Sequence, residues 1–192
     1  METVLDVRLP DWLIVAANAC PPLATHEARM AFVIGLAKRN VETGSGGPFG
    51  AAVFDSISGR LLSVGTNLVV TSRCAAAHAE ILALSLAQKA LDNFDLGAPG
   101  LPECELLASV EPCVMCAGAV LWSGVRRLVC AASDDDARAI GFDEGPKHPD
   151  WANELRARGI EVMEDVLRPQ SVAVLEYYRA VGGTIYNARS AQ

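Results

Sequence analysis

Two stretches, His78-Ala79-Glu80-Ile81-Leu82 and Glu111-Pro112-Cys113-Val114-Met115-Cys116, decide how the rest of the chain is arranged. One imidazole and two thiolates make three zinc ligands, and three leave a tetrahedral ion its fourth position for water. Glu80, two residues past the histidine, is a carboxylate placed to move a proton to or from that water. Cys113 and Cys116 are three apart, so on the first turn of a helix both sulfurs face the same way. The unpaired N–H groups of that turn also favour thiolate over thiol. His78 follows the loop Thr71-Ser72-Arg73-Cys74 and three alanines, and the apolar run Ile81, Leu82, Leu84, Leu86 comes after it, which puts it at a second helix start. Residues two apart on a helix body face different ways, so His78 and Glu80 share a cavity only at such a terminus. A closed structural zinc site, or two buried cysteines beside an unrelated histidine, is the competing reading. Closure needs a fourth ligand at short spacing, and the chain has no second Cys-x-x-Cys and no His-x-x-x-His. One catalytic zinc per chain is therefore the expectation.

The whole chain narrows what such a site acts on. At 192 residues and 51% hydrophobic content it reads as one globular domain with a substantial core. The stretch Trp12–Ala17 is too short to span a bilayer. It follows Asp6 and Asp11 in place of a basic leader, so a cytoplasmic protein with no membrane partner is expected. Without a secretion signal, the six cysteines read as reduced thiols, with Cys104 and Cys130 as core residues of strands. A net charge of −7, with Lys38-Arg39 and Arg126-Arg127 as isolated basic pairs, argues against a nucleic-acid partner. A small molecule is favoured over a polynucleotide.

Taken in order, residues 1–24 are irregular, with Asp11 placed to cap a short helical turn. Thr25 caps a helix running to about Val41. The loop Gly44–Gly50 lets a flat ligand lie close to bare backbone, with Phe49 either a stacking wall or a core residue. Ala51–Phe54 and Leu61–Gly65 form a hairpin turning at residues 56–59. Asn67 then offers a base edge both a donor and an acceptor, or caps a turn. The His78 helix runs to about Leu91, and Glu105–Val110 is a strand that delivers Cys113 to a helix ending near Gly124. A strand at Arg126–Ala132, short helices at Asp134–Ile140 and Asp150–Arg158, a strand at Glu161–Leu167 and a helix at Ser171–Val181 complete the order. A hairpin followed by alternating helices and strands specifies an α/β protein, a three-layer α/β/α sandwich with a mixed sheet of about five strands.

With these elements in this order, the paired motifs resemble the cytidine deaminase superfamily over most of residues 25–181. Gly46–Gly50, Gly65-Thr66-Asn67, Glu111–Cys116 and Gly118-Ala119 are similar both to guanine deaminases and to tRNA adenosine deaminases. Ile140-Gly141-Phe142-Asp143-Glu144 more closely resembles the Gly-Phe-Asp-acid segment of bacterial guanine deaminases, and the match extends to Trp122 and Tyr186. That resemblance implies hydrolysis of guanine to xanthine and ammonia by a homodimer. It implies zinc on His78, Cys113 and Cys116, catalytic carboxylates at Glu80 and Glu144, and substrate contacts at Asn67, Phe49, Ala79, Trp122 and Tyr186. Residues 1–24 have no counterpart, and residues 182–192 form a tail that is either a frayed end or a lid hinged at Gly182-Gly183. Guanine's amino group sits on a carbon flanked by two ring nitrogens, which gives a second carboxylate something to do. Ammeline, an aminotriazine with the same N–C(NH2)–N unit, fits as well. A cytosine, nucleoside or tRNA deaminase and a non-catalytic zinc module are the remaining readings.

Overall fold

The computed structural model describes residues 6–187. After α1 (Asp11–Asn18) and α2 (His26–Glu42), the chain forms the hairpin β1 (Gly50–Asp55) and β2 (Leu61–Thr66). Then come the single turn α3 (Val69–Ser72), α4 (Ala79–Ala90), β3 (Cys104–Val110), α5 (Val114–Ser123) and β4 (Arg127–Ala132). The last elements are α6 (Asp134–Ala139), α7 (Trp151–Arg156), β5 (Glu161–Met163) and α8 (Arg168–Ala180). The five strands lie in the order β2-β1-β3-β4-β5. β1 pairs antiparallel with both β2 and β3, whereas β3–β4 and β4–β5 are parallel. This is the expected mixed sheet.

Strand alternation sorts the core into two layers. Ala51, Val53, Leu106, Leu128 and Cys130 face one way and pack against Ala79, Ala83 and Ala87 of α4, Val120 of α5 and Leu155 of α7. Ala52, Phe54, Leu107, Val129 and Ala131 face the other way, against Leu13 of α1, Met30, Val33 and Ala37 of α2 and Val174 of α8. Helices thus cover both faces. A third cluster, including Val110, Ala132, Ile140, Phe142, Leu175 and Tyr178, closes the sheet at the carboxyl ends of β3 and β4.

The caps follow the side chains. Thr25 accepts from Ala28 N–H and starts α2 as expected. Asp11 does not cap α1: Pro10 holds that position and Asp11 is the first helical residue, where its charge suits the dipole. The strand expected to run to Leu167 stops at Met163, because Asp165 and Leu167 adopt left-handed φ of 63° and 58°. The last helix begins at Arg168, ahead of Ser171, since Pro169 fits a first helical turn. No helix among the described residues is long and apolar enough to cross a membrane.

Glu105, the second residue of the otherwise mostly apolar β3, is fully buried. It is held by Arg29 of α2, by Arg127 of β4 at 3.1 Å and by His26 Nε2 at 3.1 Å. This network ties α2, β3 and β4 together at the end of β3 remote from Cys113.

Candidate active site

The strand ends that meet at one edge of the sheet build the site: the start of β1 and the ends of β2, β3 and β4. Asn40, buried on α2, donates through Nδ2 to the carbonyls of Gly47 (2.8 Å) and Asn67 (2.9 Å), fastening two of these loops together. A Cβ at Gly46 would collide with the Asn67 carbonyl, so only glycine lets these backbones approach.

His78 and Cys113 are the N-cap residues of α4 and α5, both extended, and neither side chain caps its own helix. They turn toward each other instead. His78 Nδ1 lies 3.6 Å from Cys113 Sγ and 3.5 Å from Cys116 Sγ. All three donor atoms fall within 4.8 Å of one another. Zinc bonds of about 2.0–2.1 Å to nitrogen and 2.3 Å to sulfur, at a tetrahedral angle, put N and S about 3.5–3.6 Å apart. The observed spacings are those of a zinc site.

The donor chemistry agrees. Cys113 is pulled down to about 4, first by its hydrogen bond from Cys116 and then by His78, while that same contact pushes Cys116 up. The two sulfurs thus compete for ionisation, and a cation held among them would favour both thiolates. Neighbouring charge also raises His78: burial works against its cation, but the hydrogen bond with Cys113 and the charge of Glu80 outweigh it.

A cavity of about 260 Å³ opens over these ligands, walled by Phe49, Phe142 and Tyr186 and by the carboxyl groups of Glu80, Glu111 and Glu144. Glu80, at the second position of α4, is buried, and burial pushes its carboxyl above the usual range while His78 pulls the other way. Glu144 is 7% exposed. Its pKa is pushed up to about 8, chiefly by burial and then by the negative charge of Cys113 and Glu80. Its own carbonyl accepts the Val114 N–H at 3.0 Å, which docks the 141–147 loop on the first turn of α5. Glu111 is instead paired with Lys147 at 3.2 Å. The aromatic wall is a connected set: Phe49 meets Phe142 edge-on at 4.9 Å, and Phe142 lies 5.0 Å from Tyr186 and 6.0 Å from Tyr178.

The structure brings most of the expected residues together. His78, Cys113, Glu80, Glu144, Phe49 and Tyr186 all line the cavity, and Cys116 lies against the lining His78. Asn67 is buried behind Gly47 and its Oδ1 accepts the Val69 N–H at 3.3 Å, so it does stabilise a turn. Two of the expected residues stand outside the cavity lining. Trp122 stands on the last turn of α5, 83% exposed and away from the cavity, because its position on that helix faces outward. Ala79 is buried in the α4–sheet core. Sequence reasoning missed Phe142 as a wall, although it was quoted in the Gly-Phe-Asp-acid segment. It also missed Asn187, which accepts from Asp143 N–H at 3.0 Å and donates to the Gly141 carbonyl at 2.8 Å, holding the tail on that loop. Residues 188–192 of the tail lie outside the described residues.

A family model for the cytidine and deoxycytidylate deaminase zinc-binding region matches residues 23–132. The chain is similar to the guanine deaminase of Bacillus subtilis, 40% identical over 119 residues that make up 62% of this chain and 72% of that protein. A solved guanine deaminase from Nitrosomonas europaea is 56% identical, with a TM-score of 0.90 over 94% of this chain and 98% of that one. A structure of NE0047 in complex with 2,6-diaminopurine is also 56% identical, with a TM-score of 0.92 over 99% and 100% of the two chains.

Proposed function

Because the chain belongs to the cytidine and deoxycytidylate deaminase zinc-binding family, we propose that it is a zinc aminohydrolase converting free guanine and water to xanthine and ammonia. The observation that carries this reading is a pair of buried carboxyl groups, Glu80 and Glu144, in one aromatic-walled cavity beside a three-ligand metal cluster. Zinc held by His78, Cys113 and Cys116 supplies Lewis acidity, which makes water a nucleophile near neutral pH.

The chain's own groups then do the rest. Phe49, Phe142 and Tyr186 present ring faces and edges between which a flat base is held. Asn67 is the amide proposed for the base edge, reached past Gly47, where a side chain would stand between Asn67 Oδ1 and the Tyr186 ring. Glu80 takes a proton from the attacking water and delivers it to the ring nitrogen N3. Glu144 sits on the other side of the reacting carbon, orients N1–H, hands a proton to the departing amine and regains one from the new C2 hydroxyl, which becomes the xanthine carbonyl. Burial raises both carboxyls above the usual range, and at about 8 Glu144 holds its proton at neutral pH. The tail is a lid in this scheme: Tyr186 lies over the ligands, its ring 6.4 Å from that of His78, and excludes water once a base is seated.

We place the enzyme in the cytoplasm, where its six free cysteines remain reduced. We propose a homodimer through the exposed apolar face of α5, where Val114, Met115 and Trp122 stand out of the surface. Steady-state ammonia release from guanine, ammeline, cytosine, adenine and nucleosides tests the substrate. Guanine is expected to give the highest kcat/KM; a higher value for cytosine or a nucleoside would overturn the assignment.

A further inference from the structure

One charged side chain beside the cavity belongs neither to the metal set nor to the two acids. Lys147 sits three residues after Glu144, yet its side chain is only 6% exposed. A buried ammonium persists only where its donors find partners. Lys147 Nζ pairs with Glu111 at 3.2 Å and with Asp134 at 3.3 Å, and donates to the Pro112 carbonyl at 3.2 Å. The Trp151 ring covers it at 4.6 Å.

These partners sit at one junction. Glu111 and Pro112 are the residues between β3 and Cys113, and Asp134 opens α6. The loop carrying Glu144 is therefore fastened on both sides of the ligand Cys113. On one side the Glu144 carbonyl takes the Val114 N–H, and on the other Lys147 grips Pro112 and Glu111. Lys147 is absent from the cavity wall, so it does not touch the base.

We propose that Lys147 is a positioning residue for Glu144, setting where that carboxyl stands relative to the Cys113 loop by clamping residues 144–147 to Pro112. This rests on the reading of Glu144 as the second acid. A methionine at 147 fills nearly the same volume but takes the ammonium from Glu111 and leaves Asp134 with Arg138 alone. The loop then slackens, and a displacement of about 1 Å is worth up to about 10²-fold in rate.

The test is a double-mutant cycle in kcat/KM with guanine, using Lys147→Met, Glu144→Gln and the pair, with zinc content measured in each. Lys147→Met is expected to lose about 10- to 100-fold with near one zinc per chain retained. The double variant is expected to be no more than about threefold worse than Glu144→Gln alone, because removing the carboxyl removes what Lys147 acts through. Amide exchange should quicken in residues 141–147 and not in α4. Losses that multiply, a silent Lys147→Met, or unchanged exchange in the loop would overturn the proposal. If Lys147→Met does not fold, Lys147→Gln, which keeps a donor for Pro112, enters the same cycle under the same criteria. Near-parental activity of Glu144→Gln itself would instead refute the role of Glu144, so the two failures are distinguishable.

Discussion

Replacing Gly183 with alanine puts the lid to the test without touching the chemistry. Gly183 passes flat across the Tyr178 ring, and a Cβ there would come closer than 3.0 Å to three ring atoms, against 3.4–4 Å for ordinary contact. The ring cannot step aside freely: it stacks with Phe142, and its hydroxyl donates to the Thr184 carbonyl at 2.7 Å. Overpacking of this kind costs about 1–3 kcal/mol. Beyond Gly183 the described tail is anchored by Tyr186, whose burial is worth about 1.5–3 kcal/mol, and by the exposed hydrogen bonds of Asn187, which add little net. Taking about 2 kcal/mol for docking, the closed fraction falls from about 97% to between about 85% and 15%, a loss of up to about sixfold. Whatever remains closed carries a ring displaced by about 1 Å, which can cost up to a further 10²-fold. Gly183→Ala should therefore lower ammonia release from guanine, by up to about 600-fold where both effects act in full. Its melting temperature should fall by no more than about 4–8 °C, because undocking relieves the clash and caps the loss at the roughly 2 kcal/mol of docking. Limited proteolysis should cut the variant's tail faster. Turnover equal to the parent's would show that the position of the tail does not govern the reaction.

Three further outcomes follow from the site and the core. Cys113→Ala should leave little zinc by metal analysis, and full retention would remove His78, Cys113 and Cys116 as the ligand set. Glu80→Gln should keep zinc and lose at least about 10²–10⁴ in turnover, the usual worth of positioned acid/base catalysis, whereas Glu144→Gln should lose most activity and Asp143→Asn little. Equal, mild effects at 143 and 144 would speak against a proton-handling role for Glu144. Arg29→Met should destabilise the fold by about 3–5 kcal/mol, because it strips the buried Glu105 of a main partner while leaving the metal site, at the other end of β3, intact. An unchanged melting temperature would mean that Arg127 and His26 satisfy Glu105 alone.

The metal cluster was legible in the sequence because ligand chemistry restricts residue type and helix geometry restricts spacing. Three separate positions had to agree for it to be read at all. The sheet was legible because the short apolar runs at Ala51–Phe54 and Glu105–Val110, bounded by turn and loop residues, are local signals. What escaped depends on pairs far apart in the chain. Glu105 reads as an oddity in an apolar strand until Arg29, 76 residues earlier, is folded against it. Lys147 reads as a solvated loop residue until Glu111, 36 residues away, is beside it. Trp122 shows a different limit: the sequence placed it near the end of a helix, but which side of that helix meets solvent is settled only by what packs on α5. The early end of β5 comes from left-handed backbone at Asp165 and Leu167, residue types that seldom announce it.

The strand order has a consequence for how the protein acquires its metal. β3 is made after α4 in sequence but lies between β1 and β4 in the sheet. His78 stands at the head of the helix that leads into β3, and Cys113 stands just past its far end. In a chain still being synthesised, the β1–β2 hairpin and the α4 turn can form from neighbouring residues, but no pairing available at that stage brings the imidazole to the thiols. Only insertion of β3 alongside β1 closes the 35-residue gap between His78 and Cys113. Metal capture thus waits on the central strand, and a chain with β3 out of register exposes two loose thiols and no trap for zinc. Zinc occupancy of a purified sample is on this account a measure of how much of it has its central strand correctly paired.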